Sequence, residues 1–284
     1  MKTVVFFIGS LQLGGTEAKL ARNFIPFLKA RDKVNPKLLL LQERGEFLNT
    51  VPEEIQTISL NETFQTNLLS LIPKFRDALH KLNADVVVSC MWYPAIISYL
   101  TRKLRLANFK HIVHDTVNMT EYVKDYFKDE KYRWLKLNLI RKAYNDAEVI
   151  TVVSHGEKDD LVKNFRILEE KIKVIYNPLN TEMIIKMASD VVEIDSKFPI
   201  IVSVGRLVYQ KGFDILLKAF KKVSEYIECK LLIIGEGKER AKLVALTQSL
   251  NIHNNVIFMG FQQNPFKYMK SADVFCLASR YEGM

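Results

Sequence analysis

The 284-residue sequence has only three cysteines, Cys90, Cys229 and Cys276, far apart and odd in number. No two have zinc-site spacing and each begins or ends an apolar run, so they read as small buried hydrophobes of a reducing compartment, not as a disulfide framework. The five histidines, His80, His111, His114, His155 and His253, form no ligand motif, so neither a structural nor a catalytic metal is expected. Long apolar runs are missing too. The longest, Val4 to Ile8 and Cys90 to Leu100, fall short of the roughly 20 residues that a spanning helix needs, and Pro94 interrupts the second. The first run is too short for the apolar region of a signal peptide and no small-residue cleavage site follows it, which predicts a cytoplasmic location. Low-complexity tracts and short repeats are absent. Despite a net charge of +9, nucleic acid is not an expected partner, because helix-turn-helix, zinc-finger and RNP-type aromatic patterns are absent.

What is present is the mix of an ordinary globular protein, 48% hydrophobic and 26% charged. The length exceeds one domain of roughly 100 to 200 residues and predicts two. The positive excess is dense only from Lys131 to Lys142, where Lys131, Arg133, Lys136, Arg141 and Lys142 occur without an acid. Trp134, Leu135, Leu137, Leu139 and Ile140 interleave with these cations but fall on no single clean stripe. The segment reads as a partly buried helix with a solvated face, with peripheral contact to an anionic membrane as the alternative.

Strand-like apolar runs alternate with amphipathic helical stretches along the chain, the pattern of parallel sheets covered on both faces. Strands are expected at Lys2 to Ile8, Pro36 to Leu41, Ile55 to Leu60, Asp85 to Cys90, Lys110 to Asp115, Glu148 to Val153 and Ile172 to Tyr176. A helix is expected from about Thr16, another along Leu68, Leu69, Ile72, Phe75 and Leu79, and one or two more within Thr120 to Asn145. After Asn177-Pro178 about twenty residues show no clear period, which places a domain boundary between 1–180 and 181–284. The alternation restarts with strands at Pro199 to Val204, Cys229 to Ile234, Val256 to Met259 and Asp273 to Leu277. The fold expectation is α/β, two successive Rossmann-like parallel-sheet domains.

Two turns could carry chemistry. Gly14-Gly15-Thr16-Glu17 lies between the first strand and helix, where backbone N–H groups can meet an anion, although a plain turn capped by Thr16 explains it equally well. It is not the dinucleotide fingerprint, which needs G-x-G-x-x-G. Gly205-Arg206-Leu207 with Lys211-Gly212 follows the first strand of the second half. It puts Arg206 past a strand end and Lys211 at a helix start, where a planar fork and a point charge suit a diphosphate. The bland reading is two solvated cations at a turn.

The series Gly14-Gly15-Thr16-Glu17, Ser154, Asn177-Pro178-Leu179-Asn180, Gly205-Arg206-Leu207-Val208-Tyr209-Gln210-Lys211-Gly212, Gly235-Glu236-Gly237, Gly260-Phe261 and Ser279-Arg280-Tyr281-Glu282-Gly283 resembles the family-4 retaining glycosyltransferases, in order and spacing over nearly the whole chain. The resemblance implies a GT-B fold, two Rossmann-like domains facing a cleft. It implies transfer of a sugar from a nucleotide-diphosphate donor, UDP-sugars favoured, to a glycan or lipid-linked acceptor, without metal or other cofactor. Arg206 and Lys211 would bind the donor diphosphate, with Gly14, Gly15, Gly235 and Glu236 in the donor-binding set. Glu282 matches the first carboxylate of the family's glutamate pair, which contacts sugar hydroxyls, and His114 resembles its histidine near the sugar, although a satisfied strand-end histidine is the plainer account. Ser154 could simply cap the next helix. The family's second glutamate, eight positions after the first, would fall beyond Met284, so the second domain is expected to be incomplete. A nucleotide-sugar epimerase of the same shape and an inactive donor-binding fragment stay open as alternatives.

Overall fold

The structure, a computed structural model, describes residues 1–11, 24–45, 47–128, 131–192 and 197–283. The chain divides into two compact units. One runs from Met1 to Leu179 and takes in Gly283, and the other runs from Asn180 to Glu282.

In the first unit seven strands form one sheet: β1 (Lys2–Ile8), β2 (Val34–Leu40), β3 (Thr57–Ser59), β4 (Val86–Cys90), β5 (Lys110–His114), β6 (Val149–Val152) and β7 (Ile172–Val174). Their order is β3-β2-β1-β4-β5-β6-β7 and every pairing is parallel. Alternate residues of β1 enter different cores. Val5 and Phe7 pack with Leu39, Phe75 and Leu79, whereas Phe6 and Ile8 pack with Leu38, Leu40 and Ile25. A strand buried on both faces has no polar side, which is why these runs read as continuously apolar. Among the described residues the helices are α1 (Ile25–Ala30), α2 (Leu68–Leu82), α3 (Trp92–Lys103), α4 (Met119–Tyr126), α5 (Arg133–Asp146) and α6 (His155–Phe165).

Local chemistry sets the helix ends. Asn67 starts α2 by accepting the Leu69 N–H at 2.9 Å, and Asn83, in the left-handed region at φ 50°, stops it. The buried face of α2 is Leu71, Ile72, Phe75, Ala78, Leu79 and Leu82. Leu69, expected on that stripe, is instead 76% exposed. It stands in the first turn of α2, two residues after the Asn67 cap.

In the second unit α7 (Thr181–Ala188) precedes β8 (Ile200–Val204), α8 (Phe213–Val223), β9 (Lys230–Ile234), α9 (Arg240–Ser249), β10 (Val256–Gly260), α10 (Phe266–Ser271) and β11 (Val274–Phe275). The sheet is parallel in the order β10-β9-β8-β11. Leu231 and Ile233 face Leu216, Leu217 and Phe220 of α8, while Leu232 and Ile234 face Tyr268 on the other side. Each such fully buried Leu, Ile or Phe side chain contributes about 1.5–3 kcal/mol of transfer free energy.

The strands expected at Ile55 to Leu60 and Ile172 to Tyr176 pair only over Thr57–Ser59 and Ile172–Val174, and two elements of the second unit also differ from expectation. The stretch without clear period contains α7, started by the Asn180 side chain accepting the Met183 N–H at 3.0 Å. Its eight residues give barely two turns of apolar spacing, and packing against α10 supplies what the sequence pattern does not show. The last strand is shorter than Asp273 to Leu277. Regular pairing covers Val274 and Phe275, with Asp273 capping the Ile200 N–H at 2.7 Å and Cys276 donating to the Val202 carbonyl at 2.9 Å. Cys90 and Cys229 are buried as expected, but Cys276 is half-exposed.

Candidate functional site

Sheet order decides where a site can form in the second unit. Chain connections leave β8 toward β9 on one side, and β11 lies on the other, so β8 and β11 flank a topological switch point. Open α/β sheets bind ligands in the crevice beyond the carboxyl ends of such strands. Here the carboxyl ends are Gly205-Arg206 after β8 and Cys276 to Glu282 after β11.

The loops along this edge are tied backbone to backbone. Gly205 N–H donates to the Ile234 carbonyl at 2.9 Å, Leu207 N–H to Glu236 at 2.9 Å and Gly235 N–H to Gly260 at 2.8 Å, so hydrogen bonding continues past the strand ends. Gly235 sits at φ +140°, and a Cβ there would lie 1.9 Å from the Gly205 carbonyl oxygen. Gly212, at φ +62°, ends the short helical turn Tyr209–Lys211 and caps α8. A Cβ on it would come within 2.0 Å of the Ala278 carbonyl oxygen. No other residue type fits either place without moving the backbone. Glu236, on the same edge, has its carboxylate 3.3 Å from Arg240 Nε.

Arg206 stands exposed at the end of β8, while the buried Leu207 anchors its loop in the core. The Lys211 stem lies over Gly205, its Cγ and Cδ 3.6 Å from where a Cβ would be. Its ammonium meets Glu282 at 2.5 Å. The expected diphosphate cation and the expected sugar-binding carboxylate, 71 residues apart in sequence, are therefore direct neighbours. The Ala278 to Glu282 segment reaches this position through several contacts. Arg280 N–H donates to the Gln210 carbonyl at 2.7 Å, and the buried Gln210 side chain returns a bond to the Tyr281 carbonyl at 3.1 Å. The Arg280 guanidinium grips both Asp214 oxygens at 2.7 Å. It also lies 4.0 Å over the Tyr209 ring and donates to the Tyr209 carbonyl at 2.9 Å. The Arg280 bond holds the Asp214 carboxyl below its ordinary 3.8. Sequence reasoning assigned Arg280 and Asp214 no role. Nothing local marks them, because 66 residues separate the pair and only the sheet order brings them together.

In the first unit, His114 closes β5. Its Nδ1 is 2.9 Å from the Thr151 hydroxyl, which itself donates to the Val113 carbonyl at 3.3 Å. With that hydroxyl proton engaged, Nδ1 is the donor in this contact. Ser154 caps α6, accepting the Glu157 N–H at 3.2 Å. Asp115 and Glu157, both buried beside these residues, went unassigned from sequence, although Ser154-x-x-Glu157 has capping-box spacing. Gly14 and Gly15 lie outside the described residues.

The sequence model of Glycosyltransferase Family 4 matches residues 29–183, and that of Glycosyl transferases group 1 matches residues 186–284. The chain belongs to glycosyltransferase family 4. A relative from Campylobacter jejuni, N-acetylgalactosamine-N,N'-diacetylbacillosaminyl-diphospho-undecaprenol 4-alpha-N-acetylgalactosaminyltransferase, is 29% identical over all of this chain and 76% of its own length. Among solved structures, sucrose-phosphate synthase from Thermosynechococcus elongatus superimposes with a TM-score of 0.79 at 16% identity, covering 100% of this chain and 77% of its own. Anabaena HepE in complex with UDP and glucose gives 0.74 at 18% identity, covering 98% and 74%. The fold of this glycosyltransferase is thus GT-B. Among the described residues no helix is long and apolar enough to cross a membrane.

Proposed function

We propose that this glycosyltransferase moves a sugar from a nucleotide-diphosphate donor, UDP-sugars favoured, to a glycan or lipid-linked acceptor of cell-surface polysaccharide synthesis, with retention and without a metal. The observation that carries the reading is the arrangement at the β8–β11 switch point, where Arg206, Lys211 and the amino end of α8 share one sheet edge with Glu282. Negative charge builds on the leaving diphosphate as the glycosidic bond breaks. Two cations and the helix N–H groups stabilise that charge without a metal. Glu282 takes sugar hydroxyls, exchanging its bond to Lys211 for bonds to substrate as Lys211 turns to phosphate. His114 serves the donor sugar. The Campylobacter relative is named for a diphospho-undecaprenol acceptor, and HepE was solved with UDP and glucose, which supports a lipid-linked acceptor and a uridine donor for this chain.

Peripheral membrane contact fits the same reading. On α5, Ile140, Ala143 and Tyr144 face the core, while Trp134 is 69% exposed beside Arg133 and Lys136.

Calorimetric titration of UDP, GDP and ADP, then of their sugars, tests the donor assignment. UDP should bind tightest and lose affinity in Lys211→Ala. Absence of binding by all three nucleotides, or equal binding in the variant, would overturn it. Proton NMR of the first-formed product anomer tests retention.

A further inference from the structure

The first unit has a switch point of its own. From β1 the chain winds outward through β2 and β3, then returns to lay β4 against the other side of β1. Ligands of such a sheet lie beyond the carboxyl ends of β1 and β4, and an aromatic ridge occupies that place. Phe64, from the loop after β3, abuts Gly9 at the end of β1, where an added Cβ would lie 2.5 Å from the Phe64 ring tip. Ring centroids then run from Phe64 to Tyr93 at 5.1 Å, Trp92 at 5.4 Å, Phe127 at 5.1 Å and Tyr122 at 6.0 Å. Tyr126 stacks on Tyr122 at 4.5 Å. Tyr93 and Phe127 are buried and anchor the ridge, whereas Phe64 is 58% and Tyr126 38% exposed. Trp92 and Tyr122 are half-buried. Polar tips fix the rings in place. The Trp92 indole N–H donates to the Tyr122 hydroxyl at 3.4 Å, and the Tyr93 hydroxyl donates to the Thr66 carbonyl at 3.3 Å.

The ridge is joined to His114. Cys90 and His114 are partners in the β4–β5 register, and Met91, next after Cys90, donates its N–H to the His114 carbonyl at 2.9 Å. The Met91 sulfur accepts the Thr116 hydroxyl at 3.6 Å, and its carbonyl accepts the Ala95 N–H of α3 at 3.3 Å. Met91 holds φ +73° and ψ 174°, a region almost reserved for glycine. Other residues keep it only where the surroundings impose it, commonly at ligand sites. The bend turns β4 directly into α3 and so sets Trp92 and Tyr93 on the carboxyl edge, one strand from His114.

Glu62 and Glu121, close in sequence to Phe64 and Tyr122, are paired with Lys74 and Lys124 and add no net charge. An uncharged, partly exposed row of rings suits the apolar C–H face of a pyranose, whose hydroxyl edge then meets water or the polar tips of Tyr and Trp. An isoprenoid diphosphate calls instead for an enclosed apolar groove with cations at its mouth. We propose that Phe64, Trp92 and Tyr122 form a stacking platform for the terminal sugar of the acceptor. The assignment rests on the chain being a transferase with a sugar-bearing acceptor, and it names which part of that acceptor the first unit holds.

Trp92 and Trp134 are the two tryptophans of the chain, so Trp134→Phe leaves Trp92 as the sole indole emitter. Lactose, maltose and N,N'-diacetylchitobiose are titrated into that variant without nucleotide, with farnesyl diphosphate alongside. Saturation-transfer NMR of the sugar C–H protons is run on the wild-type chain. At least one disaccharide should shift the Trp92 emission saturably and receive saturation from protein aromatic protons. Phe64→Leu, as apolar but without a ring face, should weaken that binding about tenfold, while Phe64→Tyr should bind as the parent does. Circular dichroism checks that both variants fold, which the exposure of Phe64 favours. The proposal is overturned if none of the three sugars binds, if Phe64→Leu binds them equally well, or if Phe64→Tyr is weakened as much as Phe64→Leu. Farnesyl diphosphate moving the Trp92 emission while the sugars do not would overturn it as well, in favour of a lipid site. Because no donor is present, failure of the transferase reading shows separately, as absence of UDP binding to the wild-type chain in calorimetry.

Discussion

Replacing Arg280 by alanine removes a contact that joins three parts of the candidate donor site. Its guanidinium holds both Asp214 oxygens at 2.7 Å and covers the Tyr209 ring at 4.0 Å. The side chains are 21% and 32% exposed, intermediate between surface pairs worth about 0–1 kcal/mol and buried charge-assisted bonds worth about 1.5–3 kcal/mol. An intermediate value of about 1–2 kcal/mol for the pair, with roughly 0.5–1 kcal/mol more for the ring contact, gives a loss of about 2 kcal/mol. The same variant frees the segment that brings Glu282 to Lys211, so UDP affinity should fall about tenfold, equivalent to about 1.4 kcal/mol. Urea unfolding followed by circular dichroism, in a double-mutant cycle with Asp214→Ala, measures the pair directly. Arg280→Lys should recover little, since an ammonium cannot grip two oxygens at once. Asp214 has a folded value below 3.8, so the pair's contribution is present above that pH and is lost as pH falls through the folded value. A coupling energy under about 0.3 kcal/mol, or unaltered UDP binding in Arg280→Ala, would refute the argument.

Lys211→Ala and Arg206→Ala should each reduce donor turnover efficiency about 10- to 150-fold, corresponding to roughly 1.5–3 kcal/mol for a lost charge-assisted bond; steady-state kinetics with the donor identified by titration checks this. Gly212→Ala should destabilise the second unit by more than about 1 kcal/mol and weaken UDP binding, because its Cβ would strike the Ala278 carbonyl; hydrogen exchange in α8 and calorimetry report the two effects. Burial holds His111 down to about 3, with Arg102 adding to the effect. The unfolded chain therefore binds the extra proton first, and stability should fall as pH drops from about 6.5 toward 3. Urea midpoints at pH 7 and 5 should converge in His111→Gln relative to wild type. Vesicles containing anionic lipid should sediment wild type at low salt and release it at high salt, with Trp134→Ala binding less; no sedimentation at low salt removes the membrane contact.

The sequence by itself determined the parallel α/β class, because strands covered on both faces must be apolar throughout, as Val5 to Ile8 and Leu231 to Ile234 are. It also determined the motif Gly205 to Gly212, since glycine and cation spacing around one turn is a local property. Helix ends with a capping side chain, at Asn67 and Ser154, were equally local. The short helix Thr181–Ala188 was not legible, as eight residues carry too little periodicity and its stability comes from packing on Phe266–Ser271. Leu69 looked like core and is exposed, because the sequence stripe leaves open which of two overlapping faces the sheet will cover. The tertiary structure alone decided the contacts between distant residues: Lys211 with Glu282, Arg280 with Asp214, and Tyr144 with Asp115. These depend on strand order, which places β11 next to β8 and β6 next to β5. Strand order is set by packing the whole sheet, and no window of sequence contains it.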